Sequence, residues 1–166
     1  MAFASNAKFR VGYDAAGSGF FLTTRFIDTR TERPRHEVEN NLDIVRTIGI
    51  DTNNKILEVS ITEEAEIQVE DFLKNNNINQ NNLLITVHPG GYNFYTHWSA
   101  QGFAQVSDYL IERYNAKVIM VGSSSEYSLV KGVVSLMKNR PIVLVGETTL
   151  AYLISILKRS KIFIGN

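Results

Sequence analysis

Four short apolar runs constrain this chain more than any other feature: Leu83–Val87, Lys117–Val121, Pro141–Val145 and Lys161–Ile164. They are rich in β-branched residues and scarcely alternate between apolar and polar. That is the pattern of strands covered on both faces, as in a parallel sheet. Helical stretches lie between them. Ser99 can cap a helix that carries Phe103, Val106, Leu110 and Tyr114 on one stripe. Glu126–Met137 carries Leu129, Val133 and Leu136, and Thr148 can cap a helix with Leu150, Leu153, Ile154 and Leu157. Side-chain oxygens at such positions satisfy the first free N–H groups of a helix. Strand and helix in strict alternation predict an α/β fold with a doubly wound parallel sheet and flanking helices.

The first part of the chain is patterned differently. Phe9–Tyr13 and Phe20–Thr24 read as strands around the turn Gly17-Ser18-Gly19. Pro34 breaks a polar stretch. Glu37–Ile48 reads as a helix with Val38, Leu42, Val45 and Ile48 inward, and His36 packs or caps at its start. Ile56–Val59 reads as a short strand, and Thr62 caps a helix with Ala65, Val69, Phe72 and Leu73 on one face.

Composition removes several classes of function. Seventeen basic residues balance seventeen acidic ones, so no long-range field draws the chain to nucleic acid or to anionic lipid. No apolar run approaches the roughly 18 residues that a membrane-spanning helix requires. The chain has no cysteine, which removes disulfides, thiolate metal sites and cysteine nucleophiles and fits a reducing compartment. His36, His88 and His97 match no metal-binding spacing. Neither a GxxxxGK[ST] loop nor a GxSxG elbow occurs, and Gly17-Ser18-Gly19 lacks the rest of a dinucleotide fingerprint.

What remains is a set of three turns, each at the carboxyl end of an apolar run. His88-Pro89-Gly90-Gly91 follows the first run; its glycines allow backbone N–H groups to approach a phosphate, or merely permit the turn. Gly122-Ser123-Ser124-Ser125-Glu126 follows the second. There Glu126 can accept hydrogen bonds from a ribose diol or serve as a helix cap. Gly146-Glu147-Thr148-Thr149-Leu150 repeats the layout after the third, again with a cap as the plain alternative. Trp98 is expected to anchor the following helix against the sheet. Ligands of doubly wound sheets bind outside the carboxyl ends of strands, so three such turns together predict a ligand crevice along one rim.

Read in order, the motifs carry a resemblance. Arg10-Val11-Gly12-Tyr13-Asp14, Gly19-Phe20-Phe21-Leu22-Thr23 and His36-Glu37-Val38-Glu39-Asn40-Asn41-Leu42 lead into the three turns, His97-Trp98 and Ile162-Phe163-Ile164-Gly165-Asn166. The series resembles glycosyltransferase family 9, the ADP-heptose:lipopolysaccharide heptosyltransferases, over nearly the whole chain. The resemblance implies most of the C-terminal, Rossmann-like half of a GT-B fold plus a remnant of the N-terminal domain. Residues 1–31 would be that acceptor-side remnant, 32–55 an interdomain helix and linker, and 56–166 an incomplete donor-nucleotide domain. It implies a cytoplasmic enzyme, peripheral at the inner membrane when whole. Such an enzyme transfers heptose or a related sugar, with inversion, from a nucleotide sugar to a lipid-linked saccharide, without metal or cofactor.

By the same resemblance, Gly90, Gly91 and Tyr92 lie near the donor phosphates. Glu126 meets the ribose beside Gly122 and Ser123, and Gly146, Thr148 and Thr149 flank the base. Thr96 stands where the family commonly has a basic residue. The family's catalytic aspartate and its Asp-Ser/Thr-Gly phosphate loop have no counterpart in these 166 residues, which therefore read as a piece truncated at both ends and inactive alone. The competing readings are a non-catalytic nucleotide-sugar-binding or interaction module that pairs with a separate N-terminal half, and an unrelated Rossmann-like nucleotide enzyme.

Overall fold

A computed structural model describes residues 4–14, 17–28, 35–91 and 97–166. Pro34, Tyr92 and Thr96 lie outside the described residues. The chain forms two compact units, Met1–Glu58 and Val59–Asn166.

In the first unit, β1 (Val11–Asp14) and β2 (Thr24–Ile27) pair in parallel, followed by α1 (Glu37–Arg46). The second strand begins later than the sequence suggests. Ser18–Phe21 forms a 3₁₀ turn instead, with Gly17 in the left-handed region at φ 80° and Asp14 Oδ1 accepting from Gly19 N at 3.1 Å. Phe20 is exposed there, so its apolar side chain signals no buried strand face. His36 caps α1 through Nδ1, which accepts from Val38 N. The helix stops at Arg46, short of Ile48, and Gly49 turns the chain with φ 81°. Ile48 is exposed rather than inward. Tyr13 Oη donates to the Asn40 carbonyl and ties β1 to α1. Ile56–Val59 joins no ladder among the described residues; it runs as irregular, exposed chain.

The second unit contains α2 (Glu63–Asn75), β3 (Leu84–His88), α3 (Ala100–Tyr114), β4 (Lys117–Gly122), α4 (Tyr127–Leu136), β5 (Ile142–Val145), α5 (Leu150–Arg159) and β6 (Ile162–Gly165). The four strands form a parallel sheet in the order β5-β4-β3-β6. Each face of the sheet has its own core. Ile85, Val87, Val118, Met120 and Val145 pack with Phe103, Ala104, Val130 and Val133 of α3 and α4. Leu84, Ile119, Val121 and Leu144 pack with Val69, Leu73 and Ile156 of α2 and α5. Successive strand residues point to opposite faces, and both faces are covered, which is why these runs do not alternate in sequence. Inside, Thr86 and Ser160 satisfy each other's hydroxyls at 2.7 Å.

Helix starts follow capping chemistry. Thr62 Oγ1 accepts from Ala65 N, and Ser99 Oγ accepts from Gly102 N. The cap of α5 is Thr149, not Thr148: its Oγ1 accepts from Tyr152 N. The one-residue shift turns Leu150 outward, leaving Leu153 and Ile156 to face the core. Glu126 belongs to a 3₁₀ turn, Ser124–Glu126, that precedes α4. Trp98 is half exposed and lies edge-on to Phe103, 5.1 Å between ring centroids, so it packs on the first turn of α3 rather than on the sheet.

Candidate functional site

Strand order locates the crevice. The chain moves from β3 to β4 to β5 with α3 and α4 on one face. It then crosses back by α5, on the other face, to β6 on the far side of β3. Direction and face reverse together, so the crossovers share one hand. The reversal creates a topological switch point between β3 and β6, and ligands of such sheets bind just beyond the strand ends at that point. Because all four strands are parallel, the turns after β3, β4 and β5 and the residue after β6 share one rim.

Glu126 is the centre of that rim. Its Oε2 accepts from Ser123 N at 2.6 Å and from Ser123 Oγ at 2.8 Å. His88 Nε2 lies 3.2 Å from Oε1 and 3.3 Å from Oε2. A carboxylate can only accept, so His88 Nε2 carries the hydrogen and donates. Burial opposes the charged form, but the hydrogen bonds from Ser123 and His88 outweigh it and hold the Glu126 carboxyl below the usual range.

Gly90 makes room for this arrangement: a Cβ there would fall 1.7 Å from Glu126 Oε1 and 2.4 Å from its carboxyl carbon. Gly146 N donates to the Gly122 carbonyl at 2.9 Å and ties the turns after β4 and β5 together. Gly146 has φ 71°, and a Cβ would meet the Ser124 backbone at 3.0 Å, so this position requires glycine.

The 88–91 turn is also held from the β6 side. Asn166 Nδ2 donates to the Pro89 carbonyl at 2.6 Å, and its Oδ1 accepts from Trp98 N at 2.7 Å. His97 Nε2 donates to the Gly91 carbonyl at 3.0 Å.

Of the residues expected at the site, Gly90, Gly122, Ser123 and Glu126 meet directly, and Gly146 is one hydrogen bond away. Gly91 lies on the β6 side, beside His97 and Asn166. Thr149 caps α5 and borders a recess of about 340 Å³ with Glu147, Phe72 and Tyr152. Thr148 lies in the same turn.

Sequence reading assigned no role to His88 or Asn166. Each stands at the carboxyl end of an apolar run, which was the available signal. A larger recess of about 540 Å³ opens at the opposite rim, beside Leu84 and Lys161. Of its cations, Lys74, Lys158 and Arg159 pair with Glu66 and Glu70 and sit at the C-termini of α2 and α5, so these three are accounted for structurally.

Among the described residues, no three histidine or acidic side chains gather to hold a metal ion, and no helix is long and apolar enough to cross a membrane.

Comparison with known proteins places this geometry in context. A family profile described as Glycosyltransferase family 9 (heptosyltransferase) matches residues 1–166. The crystal structure of a glycosyl transferase family 9 protein from Veillonella parvula DSM 2008 is 28% identical with a TM-score of 0.77, covering 88% of this chain and 42% of that one. E. coli ADP-heptose LPS heptosyltransferase II superposes with a TM-score of 0.73 at 13% identity, covering 98% of this chain and 51% of that one; this likeness is one of fold. The chain thus spans about half the length of these relatives. No curated protein sequence matches. A parallel sheet with its glycine-bearing turns on one rim, a GT-B-like fold and a profile match along the full sequence lead to one conclusion: this chain belongs to glycosyltransferase family 9.

Proposed function

We propose that residues 1–166 supply the donor side of an inverting sugar transferase. The donor would be a nucleoside-diphosphate sugar such as ADP-heptose, and the acceptor of the whole protein a lipid-linked saccharide of the lipopolysaccharide core. In that reading residues 56–166 form the nucleotide domain, residues 32–55 a connecting segment and residues 1–31 the acceptor-side remnant.

The observation that carries the proposal is the convergence of three glycine-bearing turns, two of them with hydroxyls, on one rim of a parallel sheet, next to its switch point. Gly90 and Gly91 would let backbone approach the diphosphate, with Tyr92 and Thr96 beside it. Glu126, with Gly122 and Ser123 beneath it, would accept from the ribose diol; Gly146, Thr148 and Thr149 would border the base. In the whole protein a carboxylate would deprotonate the acceptor hydroxyl for in-line attack at the anomeric carbon, with the diphosphate leaving. Nucleotide binding, rather than turnover, is the activity we assign to residues 1–166. The donor is a substrate, and the reading assigns no cofactor.

Calorimetric titration of residues 1–166 with ADP and ADP-heptose tests this. Saturable binding, weakened by Glu126→Ala, is the expected result. Absence of saturable binding at millimolar nucleotide would remove the donor assignment.

A further inference from the structure

We infer that His88 is a positioning residue for Glu126, fixing the plane of its carboxylate so that it discriminates ribose from a sugar lacking the vicinal diol. The inference rests on the donor reading above and adds a residue to it.

The geometry separates two tasks. Ser123 N and Ser123 Oγ both engage Oε2, which is all that capping the turn requires. Those bonds leave the carboxylate able to swing about its last torsion, a broad two-fold rotor. His88 Nε2 bridges the two oxygens, 3.2 Å from Oε1 and 3.3 Å from Oε2, and so engages the oxygen that Ser123 leaves free. A carboxylate pinned at both oxygens has one plane.

His88 is well built for that task. It is the last residue of β3, so its backbone is set by the central strand of the sheet, in register with Gly165 of β6. Gly90, two residues on, leaves the volume into which Oε1 projects. The pair remains reachable by a ligand, with side-chain exposures of 31% for His88 and 22% for Glu126. Glu126 also keeps accepting capacity: a carboxylate offers about four lone-pair sites, and Ser123 N, Ser123 Oγ and His88 Nε2 occupy three of them, which leaves one for a sugar hydroxyl. A ribose presents its 2′ and 3′ O–H groups in fixed relation to the ring, so reaching the remaining lone pair depends on carboxylate orientation; a dideoxy sugar presents neither donor and is indifferent to it. Losing an oriented, charge-assisted hydrogen bond corresponds to about tenfold in affinity.

The test compares ADP with 2′,3′-dideoxy-ADP by calorimetry on residues 1–166. The wild type should prefer ADP about tenfold. His88→Ala should bring that preference close to unity through weaker ADP binding, with dideoxy-ADP affinity unchanged. His88→Gln, whose amide N–H reaches a similar position, should restore most of the preference. His88→Phe keeps the ring and lacks the donor; it should behave like His88→Ala and provides the readout if the alanine variant does not fold. Equal loss of both affinities in either variant, or an undiminished preference, would overturn the assignment by making His88 structural or irrelevant. A wild type that binds both nucleotides equally would also overturn it while leaving the donor reading intact. A wild type that binds neither would refute the donor reading itself and the His88 role with it.

Discussion

Gly90→Ala isolates the central contact of the rim. The backbone at Gly90 is not in the left-handed region, so alanine is conformationally acceptable there. The obstacle is the Glu126 side chain, whose carboxyl carbon lies 2.4 Å from the new Cβ position. Carbon atoms pack at about 3.5–4.0 Å, so that carbon must retreat by roughly 1 Å or more. Retreat breaks the 2.6 Å and 2.8 Å bonds from Ser123 and the His88 contact. Losing hydrogen bonds to a charged group costs about 1.5–3 kcal/mol. Replacing a glycine returns about 0.4–1 kcal/mol by restricting the unfolded chain. The net expectation is a loss of about 1–2 kcal/mol, or a melting point lowered by about 4–8 °C per kcal/mol for a unit of this size.

A double-mutant cycle with Glu126→Ala makes this specific. In that background only His88 Nε2, 3.0 Å from the new Cβ, must give by a few tenths of an ångström, and Gly90→Ala should become close to neutral. Urea unfolding of the four proteins reads the coupling directly. An equal cost of Gly90→Ala in both backgrounds would refute the steric argument, because the clash would then lie elsewhere.

Three further expectations follow from other contacts. Gly146→Ala must adopt a left-handed backbone at φ 71° and press its Cβ against the Ser124 backbone, so it should lose about 2 kcal/mol or more, measured by denaturant midpoint. Asp108 is buried on α3; burial opposes its charge, yet hydrogen bonds from Lys138 N, Asn139 N and Asn139 Nδ2 prevail and lower its pKa. Its contribution is therefore full above the ordinary carboxylate value of about 4 and fades as pH falls through the lower folded value. Asp108→Asn should lose about 1–2 kcal/mol at neutral pH and show a flatter acid limb in thermal melts across pH 2–6. Gly102→Ala would place a Cβ 2.5 Å from the ring of Trp98, the single tryptophan, so its emission should shift to the red as the indole leaves Phe103. Stability should change little there, since alanine gains about 1 kcal/mol of helix propensity.

Much of the fold was legible because two kinds of signal are local. Strands buried on both faces produce runs such as Leu84–Val87, in which every residue is buried, and the sequence pattern carries this directly. Helix starts need a side-chain oxygen a few positions ahead of a free N–H, which Thr62 and Ser99 supply. Errors arose where local signals tie. Thr148 and Thr149 are chemically identical, and only the left-handed turn at Gly146 and the packing of Ile156 decide which one caps. Phe20-Phe21-Leu22 has the apolar density of a strand, but no core covers Phe20. The rim contacts were not legible at all. His88 and Glu126 are 38 positions apart, and Trp98 and Asn166 are 68 apart. Their meeting depends on the parallel register of β3, β4 and β6, which no single-window pattern contains.

The two readings of Glu126 are separable on physical grounds. A cap for the turn at Ser124 requires a carboxylate that reaches Ser123 N, and the 2.6 Å bond satisfies it. Capping is worth about 1 kcal/mol and places no demand on β3. Capping therefore leaves two features unexplained. One is a glycine at position 90, without which the carboxyl group has no seat. The other is a histidine N–H shared between the two oxygens, which adds nothing to the satisfaction of the helix end. Both features draw the carboxylate over the turn after β3, toward the switch point, and both hold it in one orientation. An orientation fixed by two separate segments is wasted on a solvated cap, whose partner is already bound. It has a use if the carboxylate must offer its remaining lone pair to a donor whose position is set elsewhere, as in a ribose hydroxyl. Glu126→Gln makes the distinction measurable. The amide can keep one acceptor for Ser123 N, so stability should fall by about 1 kcal/mol or less, whereas a ribose contact that needs the second oxygen as acceptor should be lost.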